Sequence, residues 1–579
     1  MKKTFAALAI AGTANAAMAI PAAAVDTVDM QPLSQAMTPQ IQDCRPMDTL
    51  RVPMRTSGAD LVPIYANDYE AETPSGSIFD KNGVQVDLQL ENDLQSQIEA
   101  YMACDTPIMR VTQGMANLAA GLTEADPRTE QVAIYQHAWS NGADALVTRD
   151  NIQQVKDLSG ATIALQAYGP HIDYMTRLLA DGQKAVEKQG GTWQSPEIVY
   201  TPELLGVYGD TPAAAFLENK GIDAAFVTKS DANILTSGGN TGTGAEGSVK
   251  GAEILATTKT ASRVISEVYV VRKDYFEANR AQVKSFVKAL FSAEEKVRED
   301  VVKQIVEWDA VAGMLLEDET AVEDAKQLWR DVETTGLNGN VEWSGNQHPR
   351  SWKRVNNDIQ AQLVELGLMQ TTHALATAGW NHQSAFAGEL FDQRRVDLPS
   401  FDQNATSSAV KSMQEDGNMQ EKTLLDFEIN FKPNQTDFPI SEYKQQFNEV
   451  IDKVSTYGGA VLTVEGHSDP LKYLKMKHQG ASVSSLRRVR KSAENLSYRR
   501  AAKVREAIMK AAEQQGLTLD ESQFVTLGRG IESPKTGMCG NDPCAPQTKT
   551  EWLSNMRVVF NLVQMEAEES AFTPPNDWQ

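Results

Sequence analysis

Two charged residues late in the chain carry the clearest chemistry. Asp469 ends the stretch Val464-Glu-Gly-His-Ser-Asp469, and Arg500 lies in Asn495-Leu-Ser-Tyr-Arg-Arg500-Ala501. A carboxylate that takes an ammonium and a guanidinium fork that takes a carboxylate could together hold a zwitterion. An ordinary surface ion pair is the plainer reading of the same residues. The elements that must position them are readable locally. Residues 460–464 form a short apolar run that predicts a strand, so Asp469 falls in the turn after it. Ala501, Val504, Ala507, Ile508 and Ala511 recur at helical spacing, which predicts a helix N-capped by Ser497 with Arg500 in its first turn.

The surrounding segment carries further ordered features. An opening strand has Phe427, Ile429 and Phe431 on one face, followed by Lys432-Pro-Asn-Gln435; an amphipathic helix carries Tyr443, Phe447, Val450, Ile451 and Val454. A strand at 524–527 runs into Gly528-Arg-Gly530, and Asn555-Met-Arg557-Val-Val-Phe560 closes the segment. Together with the Gly-His-Ser-Asp turn, these features resemble the OmpA-like peptidoglycan-binding domain over residues 424–563. The resemblance implies a small α+β unit of order βαβαββ. It implies that Asp469 and Arg500 hold the free end of diaminopimelate in the wall peptide, with Gly466, Ser468 and Arg557 around them. The interval between Asp469 and Arg500 is longer than the family's, and Ala493 stands where the family commonly has Asn. That interval, residues 472–491, holds Lys475, Lys477, Arg487, Arg488, Arg490 and Lys491. A solvated loop extension is the expected reading; contact with anionic glycan or lipid head groups is the alternative.

At 579 residues the chain exceeds a single core and suggests three or four domain-sized units. A formal net charge of −23 argues against nucleic acid or an anionic membrane as its general partner. Residues 1–24 have Lys2 and Lys3, the apolar run Phe5-Ala-Ala-Leu-Ala-Ile-Ala-Gly12 and then small residues, the pattern of a secretory signal peptide cleaved after Ala19 or Ala24. Later apolar runs are too short to span a bilayer, and the absence of a Cys after the cleavage region argues against a lipid anchor. The expected compartment is the periplasm of a Gram-negative bacterium, attached to peptidoglycan.

Four cysteines fit such a compartment. Cys539 and Cys544 lie in the turn-rich Gly537-Met-Cys-Gly-Asn-Asp-Pro-Cys544 and are expected to close a local disulfide; a metal site there lacks a completing ligand. Cys44 and Cys104 each precede an apparent buried strand, at 50–54 and 108–111. If those strands are parallel neighbours, the two sulfurs meet and form a second bond.

Between residues 48 and 380 strand and helix patterns alternate, which predicts a doubly wound α/β sheet with ligands at strand C-terminal ends. Val155-Lys-Asp-Leu-Ser-Gly-Ala-Thr-Ile-Ala-Leu-Gln166, then residues 211–226 with Gly221-Ile-Asp-Ala224, then Val264-Ile-Ser-Glu-Val-Tyr-Val-Val-Arg-Lys-Asp-Tyr-Phe276 succeed one another. In that order they resemble the type II periplasmic solute-binding proteins, nearest the nitrate, sulfonate and taurine receptors of ABC transporters. The resemblance implies two lobes closing on a small solute. Loop residues and helix N-termini suited to an anion are Thr56, Ser57, Thr112, Gln113, Tyr168, Gly169, His171, Asp210, Thr228, Ser266 and Glu267. Helix capping is the alternative role for the Ser and Thr residues, core packing for Tyr168, and an exposed helix start for His171. Arg55 could neutralise an anion or simply be exposed.

The chain lacks His-Glu-x-x-His, a Walker loop and Gly-x-Ser-x-Gly, so catalysis is not expected, and no cofactor or metal is implied. Expected boundaries are a signal peptide at 1–24, an N-terminal extension at 25–45, a two-lobed solute-binding domain at 46–395, a flexible linker at 396–422 that could hold a short helix around Ala409–Met413, the OmpA-like domain at 423–565 and a disordered acidic tail at 566–579. The whole then reads as a wall-tethered solute-binding receptor, working with peptidoglycan, a small solute and an inner-membrane ABC transporter. A ligand-free envelope scaffold and an enzyme acting on the cleft ligand are the alternatives.

Overall fold

The computed structural model describes residues 25–345, 347–386, 401–415, 423–430, 441 and 443–564. The expected signal peptide, Phe431 with the Lys-Pro-Asn-Gln segment, and the acidic tail lie outside the described residues. Two α/β lobes precede a four-stranded C-terminal sheet. In the first lobe, β1 (Thr49–Met54) pairs in parallel with β2 (Gln85–Leu90). Beside them β3 (Ile108–Thr112), β4 (Gln131–Ser140), β10 (Ser266–Arg272) and β11 (Val332–Thr334) form a sheet of order β11-β4-β10-β3, with β12 (Ala376–Thr377) on β4. The second lobe holds β5 (Asp144–Thr148), β6 (Thr162–Gln166), β7 (Glu197–Thr201), β8 (Ala224–Thr228) and β9 (Glu253–Thr257), in order β7-β6-β8-β5-β9.

The doubly wound expectation needs amending, because both larger sheets are mixed. Only residues 141–143 separate β4 from β5, too few for the helical crossover a parallel pair requires. The chain instead passes from one lobe to the other there and returns through 258–265. Thr258 laces the two crossings: its Oγ1 accepts from Ser140 Oγ at 3.0 Å, Gly142 N at 3.0 Å and Asp144 N at 3.1 Å.

Helices that matter for the sites are α1 (Leu94–Ala103), α2 (Gln113–Thr123), α3 (His171–Lys188), α4 (Arg280–Val302), α5 (Trp308–Leu316), α6 (Val322–Arg330), α7 (Trp352–Glu365), α8 (Gln403–Glu415), α9 (Lys444–Thr456), α10 (Leu471–His478) and α11 (Val483–Glu513). Asp93 N-caps α1 by accepting from Ser96 N at 2.7 Å, as the Asp-before-apolar pattern predicts. Just past the end of α1, Cys104 is bonded to Cys44, with their Cα atoms 5.3 Å apart. Cys539 and Cys544 are bonded across a two-strand hairpin of β16 (Met538–Cys539) and β17 (Asp542–Pro543).

The C-terminal unit is built from β13 (Thr423–Asn430), β14 (Ala460–His467), β15 (Phe524–Gly530) and β18 (Arg557–Gln564). Their order is β13-β18-β14-β15, parallel only between β14 and β15. With α9 and α11 in sequence between strands, this is a β-α-β-α-β-β succession. Two local expectations fail. The helix bearing Arg500 begins at Val483, N-capped by Ser482, so Ser497 lies mid-helix and bonds back to Glu494 O at 2.9 Å. Residues 483–496 contain no Gly or Pro and are mostly good helix formers, so nothing stops the helix there. The basic interval is therefore a helical hairpin of α10 and the first half of α11, not a loop.

Within the expected linker, α8 spans the short helix expected around residues 409–413 and lies on the C-terminal sheet, with Phe401, Val410 and Met413 packed against Val461, Val525 and Val563. The C-terminal unit also docks on the lobes. Arg177 and Asp181 of α3 meet Asp452 and Lys453 of α9, at 2.7 Å for Arg177–Asp452 and 2.5 Å for Lys453–Asp181. Tyr457 donates its hydroxyl to Asp181 at 2.5 Å. Gly459 sits so close to the returning crossing that a Cβ there would lie 1.7 Å from the Lys259 carbonyl oxygen. Arg263 N donates to Thr456 O at 3.2 Å beside it. One apolar cluster runs from α2, α3 and α7 through Tyr443, Phe447, Ile451 and Tyr457 into the C-terminal sheet.

Candidate functional site

The lobes enclose a cleft of about 4600 Å³ that extends toward the C-terminal unit. Its floor is set by a charge that the sequence reading passed over. Arg110, in the middle of the fully buried β3, donates from Nη2 to Asp60 Oδ2 at 2.8 Å and from Nε to Asp60 Oδ1 at 3.2 Å. It also binds Glu267 at the start of β10. Ser57 Oγ donates to Glu267 Oε2 at 2.8 Å and caps the turn Gly58–Asp60. A buried cation between two carboxylates is held strongly protonated. Burial alone would weaken it, but Asp60 and Glu267 prevail. Asp60 is itself pushed up to about 6 by burial and by Glu267, against Arg110. A signal for Arg110 was present: an Arg inside the apolar run Pro107-Ile-Met-Arg-Val needs buried partners.

Arg55 reaches the same cleft and donates to the Asn92 carbonyl at 2.7 Å. Burial and then Arg110 push its guanidinium down to about 10. Thr56 is fixed by Asn92, which accepts from Thr56 N at 2.9 Å, and its hydroxyl donates to Leu315 O. Thus Ser57 and Glu267 come together beside Arg110, with Thr56 next to Ser57 on the same loop.

Other expected residues serve the fold. Thr112 Oγ1 donates to Asp173 Oδ2 at 2.6 Å, and Gly114 N to Asp173 Oδ1 at 2.9 Å. The N-terminus of α2, where an anion was expected, is therefore occupied by the chain's own carboxylate from α3. Gln113 is buried and donates to Trp352 O and Asn356 Oδ1, both at 2.8 Å. His171 is buried, not exposed, against Asp144 at 2.8 Å. Ser266 is buried and accepts from Gln136 Nε2 at 2.9 Å. Asp210 accepts from Asp26 N at 2.8 Å, and Tyr168 donates to Gln31 O at 2.8 Å, so the N-terminal extension engages both. Tyr168 and Gly169 still line the cleft. Thr228 does too, while capping the following helix through Asp231 N. Gln113, His171, Ser266 and Asp210 are each hydrogen-bonded to a neighbour and are not among the residues lining the cleft.

Asp173 makes the occupied helix terminus testable. Burial pushes its carboxyl up to about 7 despite the Thr112 and Gly114 donors. An acid raised in the fold binds its proton more tightly there than in the unfolded chain, so its contribution to stability is lost as pH rises from about 4 through 7. Asp173→Asn is expected to remove that slope. Urea midpoints of variant and parent at pH 5 and pH 8 measure it, and an unchanged difference at the two pH values would contradict the assignment.

The second site is the end of β14. Gly466 packs on α11 so tightly that a Cβ would lie 2.0 Å from Ser497 O. Ser468 N donates to Gly530 O at 2.7 Å, Gly530 N to Ser497 Oγ at 2.9 Å, and Ser468 Oγ to Ala493 O at 3.3 Å. Asp469 and Arg500 each lie three residues beyond the Gly466–Ser497 contact, one on the turn and one on the helix. Asp469 Oδ2 accepts from Leu471 N at 2.9 Å. Its Oδ1 is buried with no hydrogen-bond partner, while the Trp552 side chain lies near enough to the carboxyl to favour its charged form. Burial pushes this carboxyl up. Arg500 is 8% exposed, its Nε is buried unpartnered, and burial pushes its guanidinium down. Among the described residues neither charge pairs with the other or with any third ionised side chain at salt-bridge distance. Arg557 leans away to Ser533 O at 3.2 Å and Glu428 at 3.6 Å. His467, which the sequence reading did not single out, is buried with both ring nitrogens unpartnered, pushed down to about 3 by burial and by Arg557 and Arg529.

Among the described residues no cluster of three or more His, Cys, Asp or Glu could hold a metal, and no helix is long and apolar enough to cross a membrane. No protein-family model and no curated protein matches the chain. Solved structures similar to it include a Candida albicans gene product described as exhibiting the generic periplasmic binding protein structural fold. It is 13% identical, with a TM-score of 0.36, 59% of this chain covered and 96% of that one. The periplasmic aliphatic sulphonate binding protein of Escherichia coli is 13% identical with a TM-score of 0.35, covering 56% and 90%. A desulfurization enzyme is 17% identical with a TM-score of 0.33, covering 60% and 97%. Likenesses this distant leave the functional reading to rest on the chain's own geometry.

Proposed function

We propose that the chain is an exported, periplasmic receptor that captures a small solute between its lobes while its C-terminal unit, an OmpA-like domain, holds peptidoglycan. The observation that supports wall binding most directly is the half-buried Asp469 and the buried Arg500 on adjoining elements, each with a buried atom left without a partner and neither paired with the other. Buried polar groups are normally satisfied, and a bound zwitterion satisfies both at once. Its ammonium would meet Asp469 and its carboxylate Arg500, as the free end of a diaminopimelate stem peptide offers. Co-sedimentation with purified peptidoglycan tests this. Hydrogen bonds to charged groups are worth about 1.5–3 kcal/mol, so Asp469→Asn and Arg500→Ala are each expected to weaken binding about 10- to 100-fold. Undiminished sedimentation of both variants would refute the site.

For the lobes, the polar floor of Arg55, Ser57, Arg110 and Glu267 supports a small polar solute, handed on to an ABC transporter. A ligand-free scaffold is favoured by one observation, the Asp173 carboxylate already seated on the α2 terminus. Thermal denaturation against a metabolite set separates these. A true ligand at a hundredfold its Kd stabilises by about 2.7 kcal/mol, and a uniformly flat response would favour the scaffold.

A further inference from the structure

We infer that the α10–α11 hairpin is a second, electrostatic contact to the same wall polymer; this rests on the wall-binding reading of Asp469 and Arg500. Residues 471–513 hold twelve Lys and Arg against three acidic residues in a chain of net charge −23. A fold that is acidic overall has here gathered cations on two helices that flank the proposed site. α10 begins two residues after Asp469, and the second half of α11 carries Arg500. Lys475 of α10 is close enough to Asp469 to favour its charged form.

The hairpin is held in place. Asp542, inside the Cys539–Cys544 loop, accepts from Tyr473 Oη at 2.9 Å and binds Lys477; Arg490 lies 3.6 Å from it. Arg490 also stacks on the Tyr473 ring at 4.7 Å and donates to its hydroxyl at 2.9 Å. These contacts tie Lys477 and Arg490 to Asp542 and fix the helices to the disulfide hairpin. Lys472, Arg487 and Arg499 remain exposed, with no carboxylate partner among the described residues. The exposed apolar groups here are Val483 at 73%, at the start of α11, and Leu496 at 42% and Tyr498 at 50%, more than three turns on and two residues apart, so they make no continuous face to bury in lipid. An anionic polymer bearing repeated carboxylates, continuous with the zwitterion site, is the occupant this charge pattern fits.

The test uses the full chain, purified sacculi, and separate vesicles of phosphatidylglycerol. Exposed charges a few ångströms from a polyanion act within a Debye length, so the contact weakens with salt. The combined variant Lys472→Glu, Arg487→Glu, Arg499→Glu is expected to bind sacculi about tenfold more weakly at low ionic strength and to lose most of the parent's salt dependence. Thermal melting checks that it stays folded. Equal binding by variant and parent, with Asp469→Asn still defective, would overturn the hairpin contact alone. Failure of the parent to sediment would overturn the wall reading and the hairpin with it. Capture of the parent, but not the variant, by the vesicles and not by sacculi would replace the polymer with a lipid surface.

Discussion

Asp181→Asn is expected to destabilise the protein by about 3–5 kcal/mol and to uncouple the C-terminal unit from the lobes. The side chain is fully buried and receives Lys453 Nζ at 2.5 Å, Arg177 Nε at 3.0 Å and the Tyr457 hydroxyl at 2.5 Å. Burial by itself would raise its pKa, yet Arg177 and Lys453 hold it well below the usual carboxylate range. An amide keeps the shape and removes the charge. Arg177 retains Asp452, but Lys453, which burial already pushes down, is left as a buried cation facing Arg177. Breaking a buried pair by deleting one partner costs about 3–5 kcal/mol, whereas replacing both partners by apolar groups is often neutral. Adding Lys453→Met to Asp181→Asn should therefore restore much of the loss, which is the signature of an orphaned charge. Urea unfolding followed by Trp fluorescence and far-UV dichroism measures both effects. The single variant should show the two probes separating into distinct transitions. A loss below about 1 kcal/mol, or a double variant as poor as the sum of its parts, would remove the cluster from its role as the junction.

The elements around the sites were readable where a local pattern suffices. Asp93 before an apolar stripe gave a helix start, and the apolar run before Gly466 gave β14 with Asp469 in the following turn. On sequence, pairing Cys44 with Cys104 requires the strands after them to lie side by side. They are bonded, although β1 forms its ladder with β2. The start of α11 was misplaced because its first half projects into solvent. Without a buried face it has no apolar period, and only the half from Ser497 onward packs on β14 and β15. The packing of the linker segment is hidden for a related reason: polar composition suggests flexibility, and Phe401, Val410 and Met413 become a buried face only once the C-terminal sheet is set against them. Asp452 and Lys453 likewise look like surface charges until α3 is brought against them. The occupied terminus of α2 shows the same limit. Thr112-Gln-Gly114 has the composition of an anion site, and only the packing of α3 reveals that Asp173 fills it.

Arg110→Met is expected to be the most damaging change in the cleft, costing about 3–5 kcal/mol at pH 7.5 by the same orphaned-charge argument. Here the orphans are anions. Asp60 and Glu267 both converge on the guanidinium, and Asp60 has a side-chain exposure of 0%. Asp60 already sits at about 6 through burial and the nearby Glu267, so removing the cation drives it higher still. An acid raised in the fold costs stability above its folded pKa and ceases to do so as pH falls toward its unfolded value near 4. The deficit of the variant should consequently shrink between pH 7.5 and pH 5. A merely packing-related loss would stay constant, and a constant deficit would sink the charge argument. The same substitution frees Glu267 to swing from Ser57, loosening the loop that carries Thr56 and Arg55 into the cleft. Arg110→Lys retains the charge but loses the fork that meets Asp60 through two nitrogens and Glu267 through one. It should recover part of the stability and, on the proposed solute-binding reading, little of the affinity, because a single ammonium cannot hold the geometry of Ser57 and Glu267.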